Sequence, residues 1–167
     1  MKSYHRNVTA LPTDIANALR AALGSDGLLT DPSECLAYGY DNSRRHALPQ
    51  AVALPTTTAQ AQSIVRICRE AKLPIVARGR GTNTTGASVP IEGGVVVSFE
   101  RMDRILAIRP ADRVAVVEPG VLNGALQNAA GAQGFFWPPD PTSAPYCTVG
   151  GNLACNAGGP RAVKYGA

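Results

Sequence analysis

The sequence predicts a mixed α/β domain of the α+β class, with small sheets and flanking helices. Three observations carry this. Between Ala51 and Ala77 a short apolar run, a segment of helical period and a second apolar run read as strand, helix, strand. Further short Val- and Ile-rich runs follow, bounded by Gly, Pro and Asp. Two long loops, residues 78–86 and 139–159, consist almost wholly of Gly, Ala, Ser, Thr, Asn and Pro. The second loop is the stretch around which the chain is organised. It has almost no large apolar side chains, so it is expected to grip a ligand and not to serve as a packing element.

In chain order, residues 13–23 read as a short helix. Ile15, Ala18, Leu19 and Ala22 share a face, Thr13 can cap the start and Gly24 the end. Residues 30–49 are polar and turn-rich, with Asp31-Pro32 and Asp41-Asn42-Ser43. Ala51-Val52-Ala53-Leu54 is a strand. The clearest helix runs over residues 57–72, with a capping box from Thr57 and Gln60 and an apolar face of Ala61, Ile64, Val65, Cys68 and Ala71. Leu73-Pro74 stops it, and Ile75-Val76-Ala77 is the next strand. Val95 to Phe99 is a strand announced by Gly93-Gly94. Ile105–Ile108 and Val114–Val117 flank a hairpin turn at residues 109–113. Leu122, Ala125, Leu126 and Ala129 mark a third helix, and Phe135-Phe136-Trp137 is expected to plug the core beneath the second loop.

The chain has 167 residues, enough for a real core, and a net charge of +4. That charge is mild and the arginines are scattered, which argues against a nucleic-acid partner. No apolar run is long enough to span a bilayer, and the start has no apolar leader region, so a cytoplasmic location with no transmembrane segment is expected. The sequons at Asn7 and Asn83 are then expected to stay unmodified. The four cysteines form no CxxC pair and neither histidine lies near one, so no metal site is expected.

The small-residue loops suit an extended anionic ligand. Their backbones can come close to it, and successive amides can cradle negative charge. In a parallel strand–helix–strand unit, ligands gather beyond the carboxyl ends of the strands, where the loop at Arg78 lies. Gly79-Arg80-Gly81 begins like a dinucleotide fingerprint, but the next glycine is Gly86 and no helix follows. Gly81 to Gly86 has phosphate-loop spacing, but Ala87 stands where the lysine belongs. A bound, unhydrolysed diphosphate remains, which points to a cofactor. Arg78 and Arg80 are expected to play unequal roles, one supporting the loop and the other facing solvent.

Arg78-Gly79-Arg80-Gly81-Thr82-Asn83 after a strand resembles the first FAD-pyrophosphate loop of the vanillyl-alcohol-oxidase type (PCMH-type) flavoproteins. Pro138-Pro139-Asp140-Pro141-Thr142-Ser143, Thr148-Val149-Gly150-Gly151-Asn152-Leu153-Ala154 and Asn156-Ala157-Gly158-Gly159 are similar to that family's second FAD segment. The resemblance covers residues 49–167 and is nearest the glycolate oxidase D subunit and D-lactate dehydrogenase group. It implies a PCMH-type FAD-binding subdomain over 49–167, preceded by a lead-in of helix and turns over 1–48.

The resemblance implies pyrophosphate binding by the amides of Gly79 to Asn83 and of Val149 to Asn152. It places Asn156, Ala157 and Gly158 along the flavin side. Arg78, Gly86, Pro139, Asp140, Pro141, Ser143, Thr148 and Ala154 complete the implied cofactor contacts. Some relatives attach the flavin through a histidine in the first loop. His5 and His46 both lie outside that loop, so noncovalent FAD is expected. The chain is expected to be the truncated N-terminal part of an oxidase or dehydrogenase acting on a small 2-hydroxy acid. Its substrate domain and catalytic groups would lie elsewhere, with an iron-sulfur electron-transfer subunit as partner. A non-catalytic subunit, or a sister enzyme such as a sugar-nucleotide reductase or ether-lipid synthase, are the alternatives.

Overall fold

A computed structural model describes residues 9–166. The chain forms two compact units, one up to Arg101 and one from Met102 on.

The first unit is a four-stranded sheet in the order β1-β2-β4-β3, from β1 (Leu28–Leu29), β2 (Ala51–Ala53), β3 (Ile75–Arg78) and β4 (Val95–Ser98). β1 pairs antiparallel with β2, while β4 runs parallel to both β2 and β3. Val95, the first residue of β4, sits opposite both Ala51 and Ile75. Gly94 just before it takes φ +77, and a Cβ there would collide with the Pro74 carbonyl. Glycine is therefore required to bring the chain between the two earlier strands.

Side-chain alternation sorts the strands into two faces. Ala51, Ala53, Val95 and Val97 pack against α1 (Thr13–Leu23) and α3 (Thr58–Glu70) through Leu19, Leu23, Ile64 and Cys68. Val52 and Val96 face the other way, onto Cys35, Leu54 and the half-buried Leu29, Tyr38 and Leu48. The turn-rich segment after residue 30 is thus a covering layer. It contains α2 (Pro32–Cys35), capped by the Asp31 side chain, and a short 3-10 turn at Leu36–Tyr38. A parallel sheet needs cover on both faces, and this segment supplies the second.

Three sequence expectations shift here. Thr13 is inside α1, whose cap residue is Pro12, and the buried face of α1 is Ala16, Leu19 and Leu23; Ala18 is exposed. Thr57 caps α3 through its hydroxyl at 3.2 Å, but Gln60 reaches back to the amide of Thr56 at 2.7 Å, so the capping box is only half made. Val65 is 52% exposed on α3, and Ile67 takes its place against the core.

The second unit begins with a hairpin of β5 (Ile105–Arg109) and β6 (Val114–Val117), with a bulge between Ile105 and Ala107. Arg113 closes its turn at φ +54. α4 (Asn123–Gly131) buries Asn123 and Leu126, and Ala125 is exposed. The small core joins Val121, Leu126 and Val149 to the half-buried Ile105, Val117 and Trp137. Two expectations are corrected by it. Phe135 and Phe136 are 39% and 46% exposed, so only Trp137 plugs this core. The stretch 139–159 does pack: Cys147, Thr148, Val149 and Asn152 are buried, and residues Val149–Ala154 form the short helix α5. Small side chains permit this, because Gly150 lies so close to Pro119 that a Cβ would sit 2.7 Å from the proline Cβ. A last turn, α6, spans Ala162–Tyr165.

Candidate functional site

The first candidate loop leaves the carboxyl end of β3. Arg78, the last residue of that strand, is 8% exposed and turns its guanidinium under the loop. It donates to the Tyr40 carbonyl at 2.6 Å and to the Ala37 carbonyl at 3.1 Å, and lies 5.9 Å from the ring centres of Tyr38 and Tyr40. Burial pulls its pKa below the ordinary arginine value, while the nearby Tyr40 and Asp41 act in the opposite direction. Tyr38 donates to Glu100 at 3.0 Å, and Ser98 donates to the same carboxylate at 2.9 Å. Burial, then the Glu100 charge, push the Tyr38 phenol above its ordinary pKa. Arg80, two residues on, is exposed. The two arginines are placed unequally: Arg78 is buried beneath the loop and bonded to the Tyr40 and Ala37 carbonyls, and Arg80 faces solvent.

Gly81 takes φ +65 directly over the Arg78 guanidinium, where a Cβ would meet it at 2.5 Å. The segment before the strands holds the loop from outside. Asn42 donates from its amide to the Asn83 carbonyl at 3.0 Å and from its side chain to the Thr82 carbonyl at 3.3 Å. Asn83 folds its own side chain inward, donating to Ser88 and accepting from the amides of Thr85 and Ala87 at 3.2 Å. Gly86, at φ +83, lies beside Arg45, whose side chain a Cβ there would approach at 3.4 Å.

With carbonyls and side chains so pinned, the amides of Gly79, Arg80, Gly81, Thr82 and Asn83 donate to no atom of the described chain. Beside them Asp41 is 5% exposed, with one carboxylate oxygen on the Ser43 amide at 2.9 Å and the other buried without a partner. A rigid loop carrying consecutive free amides fits an anion such as a phosphate ester. Asn42 was legible only as part of a turn, because its partners Thr82 and Asn83 lie some forty residues further along the chain.

The second candidate segment belongs to the other unit and is built differently. Its expected amide donors are already used: Val149 donates to the Val121 carbonyl at 2.8 Å, Gly150 to Pro119 at 3.0 Å, and Asn152 to Thr148 at 2.9 Å. Gly151 donates to the Thr148 hydroxyl at 3.1 Å. What the segment offers a ligand is its outer surface. Pro139, Asp140, Pro141 and Ser143 are half-buried, Ala154 and Asn156 are exposed, and Asn156 adopts φ +51. Its two arms are tied together: the Asp140 amide donates to the Gly158 carbonyl at 2.9 Å, and Arg161 approaches the Asp140 carboxylate at 3.3 Å. Ala157, half-buried, donates to the Asn152 carbonyl at 2.9 Å. Gly159 packs on the Asp140 carbonyl at φ +72, where a side chain would not fit.

Among the described residues, no group of three or more His, Cys, Asp and Glu could hold a metal ion. No helix among them is long and apolar enough to cross a membrane.

A family model described as an FAD binding domain matches residues 49–167. The chain is 38% identical over 154 residues to the glycolate oxidase subunit GlcD of Bacillus subtilis, covering 92% of this chain and 33% of that protein. It is 37% identical over 153 residues to D-2-hydroxyglutarate dehydrogenase of Stutzerimonas stutzeri, covering 91% of this chain and 33% of that one. The chain thus spans about a third of the length of these curated relatives. The solved structure of an alkyldihydroxyacetonephosphate synthase superposes on 99% of this chain and 36% of its own, with a TM-score of 0.85 at 22% identity, which shows a shared fold.

Proposed function

The chain belongs to the FAD-binding-domain family, and from that premise we propose that it is the cofactor-holding part of an oxidoreductase that converts a small 2-hydroxy acid, of the glycolate or D-lactate type, to the 2-oxo acid. The observation that carries this is the row of free amides from Gly79 to Asn83, set on the Arg78 scaffold. The 2-hydroxy-acid relatives, alike over nine-tenths of the chain, support the substrate class.

In this reading the first loop binds pyrophosphate through those amides, with Arg80 adding charge. The second segment contributes the surface of residues 139–143 and 154–157, with Gly158 buried behind it, while Thr148, Val149, Gly150, Gly151 and Asn152 shape it from within. FAD supplies a two-electron acceptor for the hydrogen on the hydroxyl-bearing carbon. The residues here bind and orient it; the FAD-binding segment is taken as 49–167, with 1–48 as the lead-in, of which residues 37–42 brace the first loop. The partner we propose is an iron-sulfur electron-transfer subunit that takes the electrons onward.

Both histidines lie outside the first loop in sequence, so binding is noncovalent in this reading. Acid precipitation of the flavin-loaded full chain is expected to leave FAD in the supernatant. Flavin retained in the pellet would refute noncovalent binding, and a chain that takes up no FAD would refute the function.

A further inference from the structure

Asn123 lies at the start of α4, among residues that read as an ordinary apolar helix face. It is 3% exposed, and every polar atom of its side chain is engaged with the second FAD segment or its lead-in. Its Oδ1 accepts from the indole Nε1 of Trp137 at 2.8 Å and from Nδ2 of Asn152 at 2.9 Å. Its Nδ2 donates to the Pro139 carbonyl at 3.2 Å, and its backbone amide donates to the Cys147 carbonyl at 2.9 Å. One residue thus fixes four points between residues 137 and 152.

We infer that Asn123 is the positioning residue of the second FAD segment: it touches no cofactor itself, but sets the spacing of Pro139 and Asn152. The inference rests on the FAD-holding reading above. The site needs a planar group with an acceptor on one side and a donor on the other, at the reach of a single methylene. Ala offers neither. Asp keeps the acceptor for Trp137 and Asn152, but turns a second oxygen toward the Pro139 carbonyl. Only when protonated does that oxygen regain a hydrogen to donate.

This distinguishes positioning from mere filling. In the full chain, Asn123→Ala is expected to weaken FAD binding about ten-fold or more, the scale of one unsatisfied buried polar group. Asn123→Asp is expected to bind as poorly at about pH 8 and to recover to within about three-fold of wild type at about pH 5, where a desolvated carboxyl is protonated. The titratable neighbours are Asp140, held by Arg161, and the Cys147 thiol. Both are present in wild type, which is measured at the same pH to subtract them.

Affinity is read from quenching of flavin fluorescence. The emission of Trp137, the one tryptophan in the sequence, reports the network without cofactor and should shift with pH in Asn123→Asp alone. Should Asn123→Ala fail to fold, the pH rescue of Asn123→Asp decides. Wild-type affinity in Asn123→Asp at about pH 8, or equal weakening at both pH values, overturns the inference while leaving the function standing. A wild-type chain that binds no FAD overturns the function, and the cofactor role of Asn123 with it.

Discussion

At the scale of single residues, one loop assigns opposite duties to neighbours of like charge. Strand alternation alone would put Arg78 and Arg80 on one face, and the bend over residues 79–81, with Gly81 at φ +65, separates them. Arg78 satisfies two carbonyls from beneath, so its loss leaves both unpaired and frees the loop. Arg78→Ala should cost about 3 kcal/mol of stability and at least about ten-fold in FAD affinity. Arg80→Ala should leave the melting temperature unchanged and weaken FAD by less. Thermal melts and flavin titrations of both variants test this; indistinguishable variants would refute the division of labour. Gly150 is a second lesson at this scale. Its sequence context marked it as a cofactor contact, yet its immediate neighbour is Pro119 and its amide is already bonded.

At the scale of elements, the hairpin β5–β6 is latched at its base. Arg104 donates to the Glu118 carboxylate at 2.7 Å and 3.2 Å through its guanidinium, and at 2.9 Å through its amide. These hydrogen bonds hold Glu118 below its ordinary pKa of 4.5. A carboxylate with a lowered folded pKa stabilises the fold above the unfolded value, and that stability is lost as pH falls through the folded one. The second unit should therefore lose stability once the pH drops below about 4.5, and Glu118→Gln should abolish that slope. Urea melts followed by Trp137 emission check it, and an unchanged slope in the variant would count against the latch. α3 kept its expected start and end because it carries its cap and its stop, Thr57 and Leu73-Pro74, in its own sequence. The face of each helix was less legible: Val65 and Ile67 both suit the period, and only the position of the sheet decides between them.

At the scale of the whole molecule, binding and chemistry separate. Flavin oxidation of a hydroxy acid needs a base held at the hydroxyl as well as a held ring. In the proposed reading, the residues of this chain bind and brace. The chain of 167 residues, mixed with FAD, an artificial electron acceptor and glycolate or D-lactate, is expected to reduce the acceptor no faster than free FAD. Turnover well above that level would place a complete active site within these residues.

The sequence by itself determined the class of fold, the strand–helix–strand unit, the hairpin and the two loops, and through the ordered loop motifs the family and its cofactor. Each of these rests on local information: a period, a cap, a turn residue, or a run of small side chains whose backbone can approach a ligand. Only the tertiary structure decided which amides remain free to bind. That depends on acceptors far away in the chain: Val121 and Pro119 consume the first two amides of α5, while among the described residues nothing consumes those of residues 79–83. It also decided that Asn42 braces one loop and Asn123 the other. Hydrogen bonds are short-ranged in space but indifferent to sequence separation, so their partners become visible only once the chain has folded.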